Sequence, residues 1–226
     1  MKSLSRICIL AVPVLSLLTV ARAEIVAGWD VDGVELDEGY SAPYTLAAHT
    51  TATHIASASI SLSSHVTNTL SADQYGFKIP TEASQTSLAG AISNGHYMAV
   101  ELTAAEPYGI NLGSLEINGY ASSTGCDDVA VLSSVDGFSA DAAIASATNV
   151  AGVTGGWDTD DSGFGAPINL SDPKYSKLKQ VTFRFYGWNS TSVAGLTYIR
   201  QLSGLDLEFT GTVEEIVPPG LSLIVK

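Results

Sequence analysis

The stretch Val181-Thr182-Phe183-Arg184-Phe185-Tyr186 decides the fold class of this chain. Its first, third and fifth residues are apolar, so an extended backbone places them on one face. The second, fourth and sixth residues would then face outward or toward a second sheet. This alternation is typical of a strand in an antiparallel sheet with one face on the core.

The same period of two recurs along the rest of the chain. In residues 55–62, for example, Ala58, Ile60 and Leu62 share one face with Ala56, and small polar residues occupy the other. Turn residues recur every 8 to 12 positions, among them Asp136-Gly137, as expected for a sandwich. The pattern predicts one all-β sandwich, with further strands at 97–102, 115–120, 129–132 and 205–209.

Residues 81–95 depart from the strand pattern. Leu88, Ala91 and Ile92 have the i, i+3, i+4 spacing of a helix face. A Ser- and Thr-containing start and an Asn94-Gly95 end match helix boundaries. The segment predicts one or two helical turns before the strand that begins near Tyr97.

The first 23 residues have the features of a cleavable export signal. Lys2 and Arg6 precede an apolar run of about 14 residues, and Ala21-Arg22-Ala23 is a small-x-small cleavage triplet. The run is shorter than the roughly 20 residues that a membrane-spanning helix needs. We therefore expect a signal peptide over 1–23, a sandwich domain over 24–216 and a short tail over 217–226.

Charge excludes two classes of partner. The chain carries 23 acidic and 10 basic residues, a net charge of −13. Loss of Lys2, Arg6 and Arg22 with the leader leaves seven basic residues and a net charge of −16. Such a field repels phosphate backbones and anionic lipid, so we expect neither nucleic acid nor a membrane surface as partner. It favours cations and neutral polymers.

Cys126 is the single cysteine that remains when Cys8 leaves with the leader. No disulfide within the mature chain can then form. We expect Cys126 to be a small buried hydrophobic residue. The alternatives are an intermolecular disulfide and a free reactive thiol.

Signatures of catalysis are absent from the sequence. It contains no G-x-S-x-G elbow, H-E-x-x-H helix, phosphate loop or C-x-x-C pair. Its four histidines, at positions 49, 54, 65 and 96, lack metal-ligand spacing. Glycosidases need two carboxylates roughly 5 to 10 Å apart, which 23 acidic residues can supply by chance. We expect no enzymatic activity and no catalytic residues.

The strongest candidate for a metal site is an acidic segment that begins at Trp157. Asp158, Asp160 and Asp161 supply hard oxygen ligands of the kind that calcium takes, and Asp127 and Asp128 are candidates from a neighbouring loop. The spacing is not that of an EF-hand. A solvated acidic turn is the alternative, and no other cofactor is expected.

Exposed aromatic rings are the candidates for sugar contact, because pyranose C–H groups stack on them. Trp157 lies among Gly and Asp residues, so we expect its ring to be exposed. Trp188 ends a strand, where capping of the core is the alternative. Packing in the core is the alternative for all of these rings. The candidates are Trp29, Trp157 and Trp188, accompanied by Tyr108, Tyr120 and Tyr186.

Several segments together resemble a group of exported bacterial proteins that often carry a PEP-CTERM sorting tail. The most specific pieces are Ser133-Ser134-Val135-Asp136-Gly137-Phe138 and the later Phe183-Arg184-Phe185-Tyr186-Gly187-Trp188. The resemblance implies a jelly-roll-like β-sandwich, a place at the cell surface or in the extracellular matrix, and no catalytic residues. Further matching segments are 27–30, 87–97, 109–115 and 210–213.

Two segments depart from that family pattern. The end of the chain has Pro218-Pro219-Gly220 and a short apolar stretch where the family has Pro-Glu-Pro, an apolar span and a basic end. Residues 200–206 differ from the Arg-Leu-Asp-Asn pattern of the penultimate strand. The sorting tail itself is therefore not matched.

These observations predict a secreted or cell-surface, non-catalytic protein with a structural or adhesive role. Its expected partners are polysaccharide or other surface proteins. One alternative is a secreted carbohydrate-active enzyme or a lectin-like module. Another is a filament subunit, in which an unpaired strand at 24–30 or 221–225 adds to the sheet edge of a neighbour.

Overall fold

Apolar strand faces along this chain meet across the interior of two packed sheets. The computed structural model describes residues 24–31, 45–63, 74–77, 85–153, 156–159, 163–192, 195, 197–200 and 204–217. The predicted signal peptide lies outside the described residues, as does the tail beyond residue 217. The proposed division at residues 23 and 216 stays a prediction.

The described residues form fourteen strands and one α-helix. In chain order these are β1 (Glu24–Trp29), β2 (Thr45–Ala47), β3 (Thr50–Thr51), β4 (Ile55–Leu62), β5 (Gln74–Phe77), α1 (Leu88–Asn94), β6 (Met98–Ala104), β7 (Tyr108–Ile117), β8 (Gly119–Ala121), β9 (Asp128–Ser133), β10 (Ala145–Thr148), β11 (Ile168–Asn169), β12 (Gln180–Trp188), β13 (Thr197–Arg200) and β14 (Leu207–Glu215). Short 3-10 turns occupy Ser134–Asp136, Ala140–Ala142 and Pro173–Tyr175.

The strands form two principal sheets with antiparallel pairing. One sheet has the order β11-β7-β14-β1-β3, and the other has the order β10-β9-β12-β6-β4-β2. Between consecutive strands, the chain crosses from one principal sheet to the other at β1–β2, β2–β3, β3–β4, β6–β7, β10–β11 and β11–β12. A smaller sheet has the order β5-β13-β8. The jelly-roll-like antiparallel β-sandwich with one short helix, predicted from the sequence, is confirmed.

The core lies where the inner faces of the two sheets meet. Val181, Phe183 and Phe185 on β12 are fully buried, as their alternation predicts. The Phe183 ring centroid lies 4.9 Å from that of Phe209 on β14 in the opposite sheet. Burying one such side chain contributes about 1.5–3 kcal/mol to the free energy of unfolding, so this contact is a principal link between the layers.

Strand β4 follows its predicted pattern except at its beginning. Ala58, Ile60 and Leu62 are buried, but Ala56 is exposed, and Ile55 packs against the core instead. The pairing with β6 shifts register between Ile55 and Ser57. A bulge of this kind places two residues opposite one and reverses the side to which the preceding residues point. The prediction for Ala56 is therefore wrong.

Helix α1 covers part of the outer face of the six-stranded sheet. Ser87 caps its first turn by accepting a hydrogen bond from the backbone N–H of Gly90, and Gly95 ends it in the left-handed conformation. The predicted short helix within residues 81–95 and its end at Asn94-Gly95 are confirmed, and the helix begins after Ser87. Ala91 of the helix packs with Leu132 and Tyr186, which face away from the core. Among the described residues, no helix has the length and apolar character to cross a membrane.

The N-terminal strand is not an unpaired edge. Residues 24–29 pair with β14 on one side, and Ala27 and Gly28 also pair with β3 on the other. Strand β1 is interior to its sheet because hydrogen bonds from both neighbours hold its backbone. The expectation that residues 24–30 are free to add to another molecule is wrong, and residues 221–225 lie outside the described part of the chain.

Candidate binding groove

A shallow groove of about 310 Å³ lies on the outer face of the six-stranded sheet, on the part of that face where Arg184 projects. Strands β4, β6 and β12 form its floor, and the turn after β9 forms one wall. We call it the Arg184 groove. It is lined by Ser61, Leu62, Ser63, Tyr97, Ala99, Glu101, Ser134, Phe138, Thr182 and Arg184.

The guanidinium group of Arg184 is held between two aromatic rings. Its Cζ atom lies 3.8 Å from the ring centroid of Phe138 and 4.2 Å from that of Tyr97. A cation over an aromatic ring is attracted by the ring quadrupole, by about 0.5–2 kcal/mol for each contact. The Arg184 Nε atom is buried without a hydrogen-bond partner in the structure. Nη1 lies 3.5 Å from the hydroxyl oxygen of Tyr186.

Strand geometry explains the direction of Arg184. On β12 it lies between Phe183 and Phe185, which point into the core, so its own side chain points outward. Its cross-strand partners are Ala99 on β6 and Leu132 on β9. The small side chain of Ala99 leaves room for the arginine to lie along the sheet.

Phe138 reaches the groove through a tight turn after β9. Gly137 and Phe138 both have positive φ, 64° and 57°. Gly137 adopts this conformation easily, whereas it is uncommon for a residue with a side chain as large as phenylalanine. The backbone N–H of Phe138 donates a hydrogen bond to the carbonyl of Ser133, which fixes the turn. The turn therefore holds the ring of Phe138 over Arg184.

A polar cluster anchors this turn to the rest of the fold. Asp136 forms an ion pair with Lys174 at 2.9 Å and accepts hydrogen bonds from Ser133 and from the Tyr175 hydroxyl. The hydrogen bond from Lys174 is the largest of the interactions that hold the pKa of Asp136 below its usual value. Burial raises the pKa of Tyr175. The cluster supports the wall of the groove and lies behind it.

Hydroxyl groups and one carboxylate complete the lining. The Ser63 hydroxyl oxygen accepts a hydrogen bond from the Tyr97 backbone N–H at 3.3 Å, and Ser134 accepts one from the Thr182 N–H at 3.0 Å. Each hydroxyl keeps its own proton to donate. Glu101 adds an acceptor from β6. The groove thus offers a cation, an anion, hydroxyls and two aromatic rings to one small ligand.

Two of the three tryptophans expected to contact sugar are buried in the core. Trp29 and Trp157 have no exposed surface, so neither ring is available for stacking. The Trp29 indole N–H donates to the carbonyl of Leu46 at 3.2 Å. Trp157 packs on the backbone of Gly119, where an added Cβ would overlap the indole ring. The expectation that Trp157 is exposed is wrong, because Gly119 on β8 provides space that the local sequence does not reveal.

Trp188 is partly buried and packs against the cluster under α1. This cluster lies on the outer face of the six-stranded sheet, so Trp188 contacts the residues under the helix and not the core between the sheets. The three tyrosines proposed beside the tryptophans are not grouped around a sugar-sized site. Tyr186 is buried, Tyr108 stacks on His54 at 3.6 Å between centroids, and Tyr120 packs against Tyr198.

The proposed calcium ligands are only partly within the described residues. Asp158 is buried, with 2 % of its surface exposed, which contradicts a solvated turn at that residue. Asp160 and Asp161 lie outside the described part. Asp127 accepts from the backbone N–H of Ala151, and Asp128 accepts from the Asn189 amide. No group of three candidate ligands is found among the described residues.

Cys126 is buried, with 1 % of its surface exposed. The prediction of a small buried hydrophobic residue is confirmed. Burial raises the pKa of its thiol to about 12, so the reactive thiolate is scarce at neutral pH. Its backbone N–H donates to the Thr197 hydroxyl at 2.9 Å.

The Arg184 groove is not predicted from the sequence, although two of the segments that contribute to it are recognisable there. The strand of residues 181–186 and the turn at Asp136-Gly137 were each identified as structural features. The sequence does indicate that Arg184 points outward, because it lies between two apolar residues of an alternating strand. The contact with Phe138 depends on how β9 and β12 pair, which residue spacing alone does not specify.

Comparison with known proteins yields no match: no family model, no curated protein and no solved structure matches this chain.

Proposed function

We propose that this chain is an exported, non-catalytic β-sandwich protein that associates with polysaccharide at the cell surface or in the extracellular matrix. The Arg184 groove is the proposed contact with the polymer. The proposal depends on one observation: the rings of Tyr97 and Phe138 hold the guanidinium of Arg184 in a groove that is also lined by hydroxyl groups.

The chemistry of the groove is suited to a sugar unit. Saccharides present hydroxyl groups that both donate and accept hydrogen bonds, beside C–H surfaces that contact aromatic rings. The groove supplies Arg184 as a donor, Glu101 as an acceptor, and the exposed parts of two rings. Its volume of about 310 Å³ lies at the small end of typical ligand sites and corresponds to one or two sugar units.

The residues that line the groove favour binding of a polysaccharide without its cleavage. Most glycosidases act with two carboxylates on either side of the scissile bond. Within the described residues, the groove lining contributes Glu101 as its carboxylate. An assay for released reducing ends on every polymer that binds would detect hydrolysis directly.

The proposed location rests on the N-terminal sequence and on the family resemblance. The charged start, apolar run and Ala21-Arg22-Ala23 triplet support export. The net charge of −13 supports a neutral polymer as the partner.

Binding of the purified protein to an array of polysaccharides, with and without calcium, tests the proposal. We expect binding that Arg184→Gln weakens by at least ten-fold. Lys177→Gln is the matched control, because it removes one positive charge from an exposed position outside the groove. Absence of binding to any polymer, or equal binding by the Arg184→Gln variant, would overturn the proposal.

A further inference from the structure

We infer that the Arg184 groove selects uncharged saccharides and discriminates against saccharides that carry a carboxylate. This inference rests on the proposed function, since it names the class of sugar that the same groove accepts. The observation behind it is that the groove holds a cation and an anion that do not pair with each other.

Glu101 and Arg184 are close neighbours on the outer face of the sheet. Glu101 lies directly opposite Thr182 in the β6–β12 pairing, and Arg184 lies opposite Ala99. The two charged residues are therefore diagonal neighbours, a relationship in which long side chains can reach one another, with Cα atoms about 7–8 Å apart.

The two side chains nevertheless form no ion pair in the structure. Among the described residues, the ion pairs within 4.0 Å are Lys174–Asp136 and Lys179–Glu106. Arg184 instead lies between the rings of Phe138 and Tyr97. The guanidinium thus packs against the rings and forms no ion pair with Glu101, and both charged residues line the groove.

A separated donor and acceptor match the hydroxyl groups of a neutral sugar. One hydroxyl can accept a hydrogen bond from Arg184 while its neighbour on the ring donates to Glu101. A carboxylate has no proton to donate at neutral pH. A uronate that pairs with Arg184 therefore brings its negative charge near Glu101, and this repulsion opposes the gain from the arginine.

The charge of the whole protein acts in the same direction but over a longer range. A net charge of −13 repels polyanions at long range, and dissolved salt screens this repulsion. The repulsion from Glu101 is local and responds little to salt, because both groups would lie within one groove. A measurement at about 0.15 M salt, where the Debye length is about 8 Å, therefore largely screens the long-range repulsion.

Matched polymers provide the test. Polygalacturonate, alginate and hyaluronate would each be compared with the same polymer after reduction of its carboxylates to primary alcohols, so that backbone and linkage are preserved. We expect the reduced form of at least one pair to bind ten-fold or more tightly than its carboxylated form. We expect Glu101→Gln to reduce that preference to three-fold or less.

The control variant is Glu215→Gln, which removes the same charge from an exposed position on β14 in the opposite sheet. We expect it to keep the preference of the unmodified protein. A preference for the carboxylated forms, equal binding of both forms, or an identical effect of the two glutamine variants would overturn the inference. If one of these results is obtained and binding still depends on Arg184, the inference fails but the proposed function stands. If no polymer shows binding that depends on Arg184, the inference and the proposed function both fail.

Discussion

The Cζ atom of Arg184 lies 3.8 Å from the centroid of the Phe138 ring, and this contact joins strand β12 to the turn that follows β9. Tyr97, the residue before β6, covers the guanidinium at 4.2 Å. Three separate parts of the chain thus meet around one cation. The contact defines the groove, and its energy can be measured.

A double-mutant cycle with Arg184→Gln and Phe138→Leu measures this contact. We expect a coupling energy of about 0.5–2 kcal/mol, because the cation–π attraction requires both partners. The measurement is urea unfolding of the protein, the two single variants and the double variant. Strictly additive effects would show that the two side chains do not interact in solution.

Truncation of two adjacent residues of β12 should lower the free energy of unfolding by very different amounts. Phe183 is fully buried, so Phe183→Ala should lower the free energy of unfolding by about 3–5 kcal/mol. Thr182 faces the groove, so Thr182→Ala should cost less than about 1 kcal/mol. Chemical denaturation of both variants provides the comparison, and similar losses would contradict the assigned faces of the strand.

The Asp136–Lys174 pair predicts a loss of stability in acid. Because the pKa of Asp136 is lowered in the folded protein, its contribution is complete above its unfolded pKa of about 4. It is lost as the pH falls through the lower, folded pKa. Asp136→Asn should therefore lose less stability than the unmodified protein between pH 6 and pH 3. Equal losses in urea unfolding at the two pH values would contradict the prediction.

Cys126 should be inert in the folded protein. Its thiol is buried and its pKa is raised to about 12, so a thiol reagent at pH 8 meets almost no accessible thiolate. We expect less than about one tenth of the thiol to react with Ellman's reagent within an hour. In guanidinium chloride the same sample should react completely, and rapid reaction of the native protein would show that the thiol is accessible.

The fold was predictable because it depends on local periodicity. The alternation in residues 181–186 specifies which side chains of β12 face the core, and Ser87 and Gly95 mark the ends of α1. The exception at Ala56 has a physical cause. The bulge beside it is a property of strand pairing, so no pattern within one strand reveals it.

The candidate site was less predictable because it depends on contacts between distant segments. Trp157 lies among residues typical of an exposed loop, yet Gly119 on another strand provides the space that buries it. Phe138 reaches Arg184 only because a turn with two successive positive φ angles directs its ring there. In each case the arrangement of the strands must be known before the position of the side chain can be predicted.

The Arg184 groove lies on the outside of the sandwich, whereas the aromatic core lies between the sheets. Apart from Leu62, which belongs to both, the residues that line the proposed groove and the residues that form the core therefore lie on opposite faces of the six-stranded sheet. Substitutions at Ser61, Glu101 or Thr182 would therefore change the chemistry of the groove surface while the packed layers between the sheets stay intact.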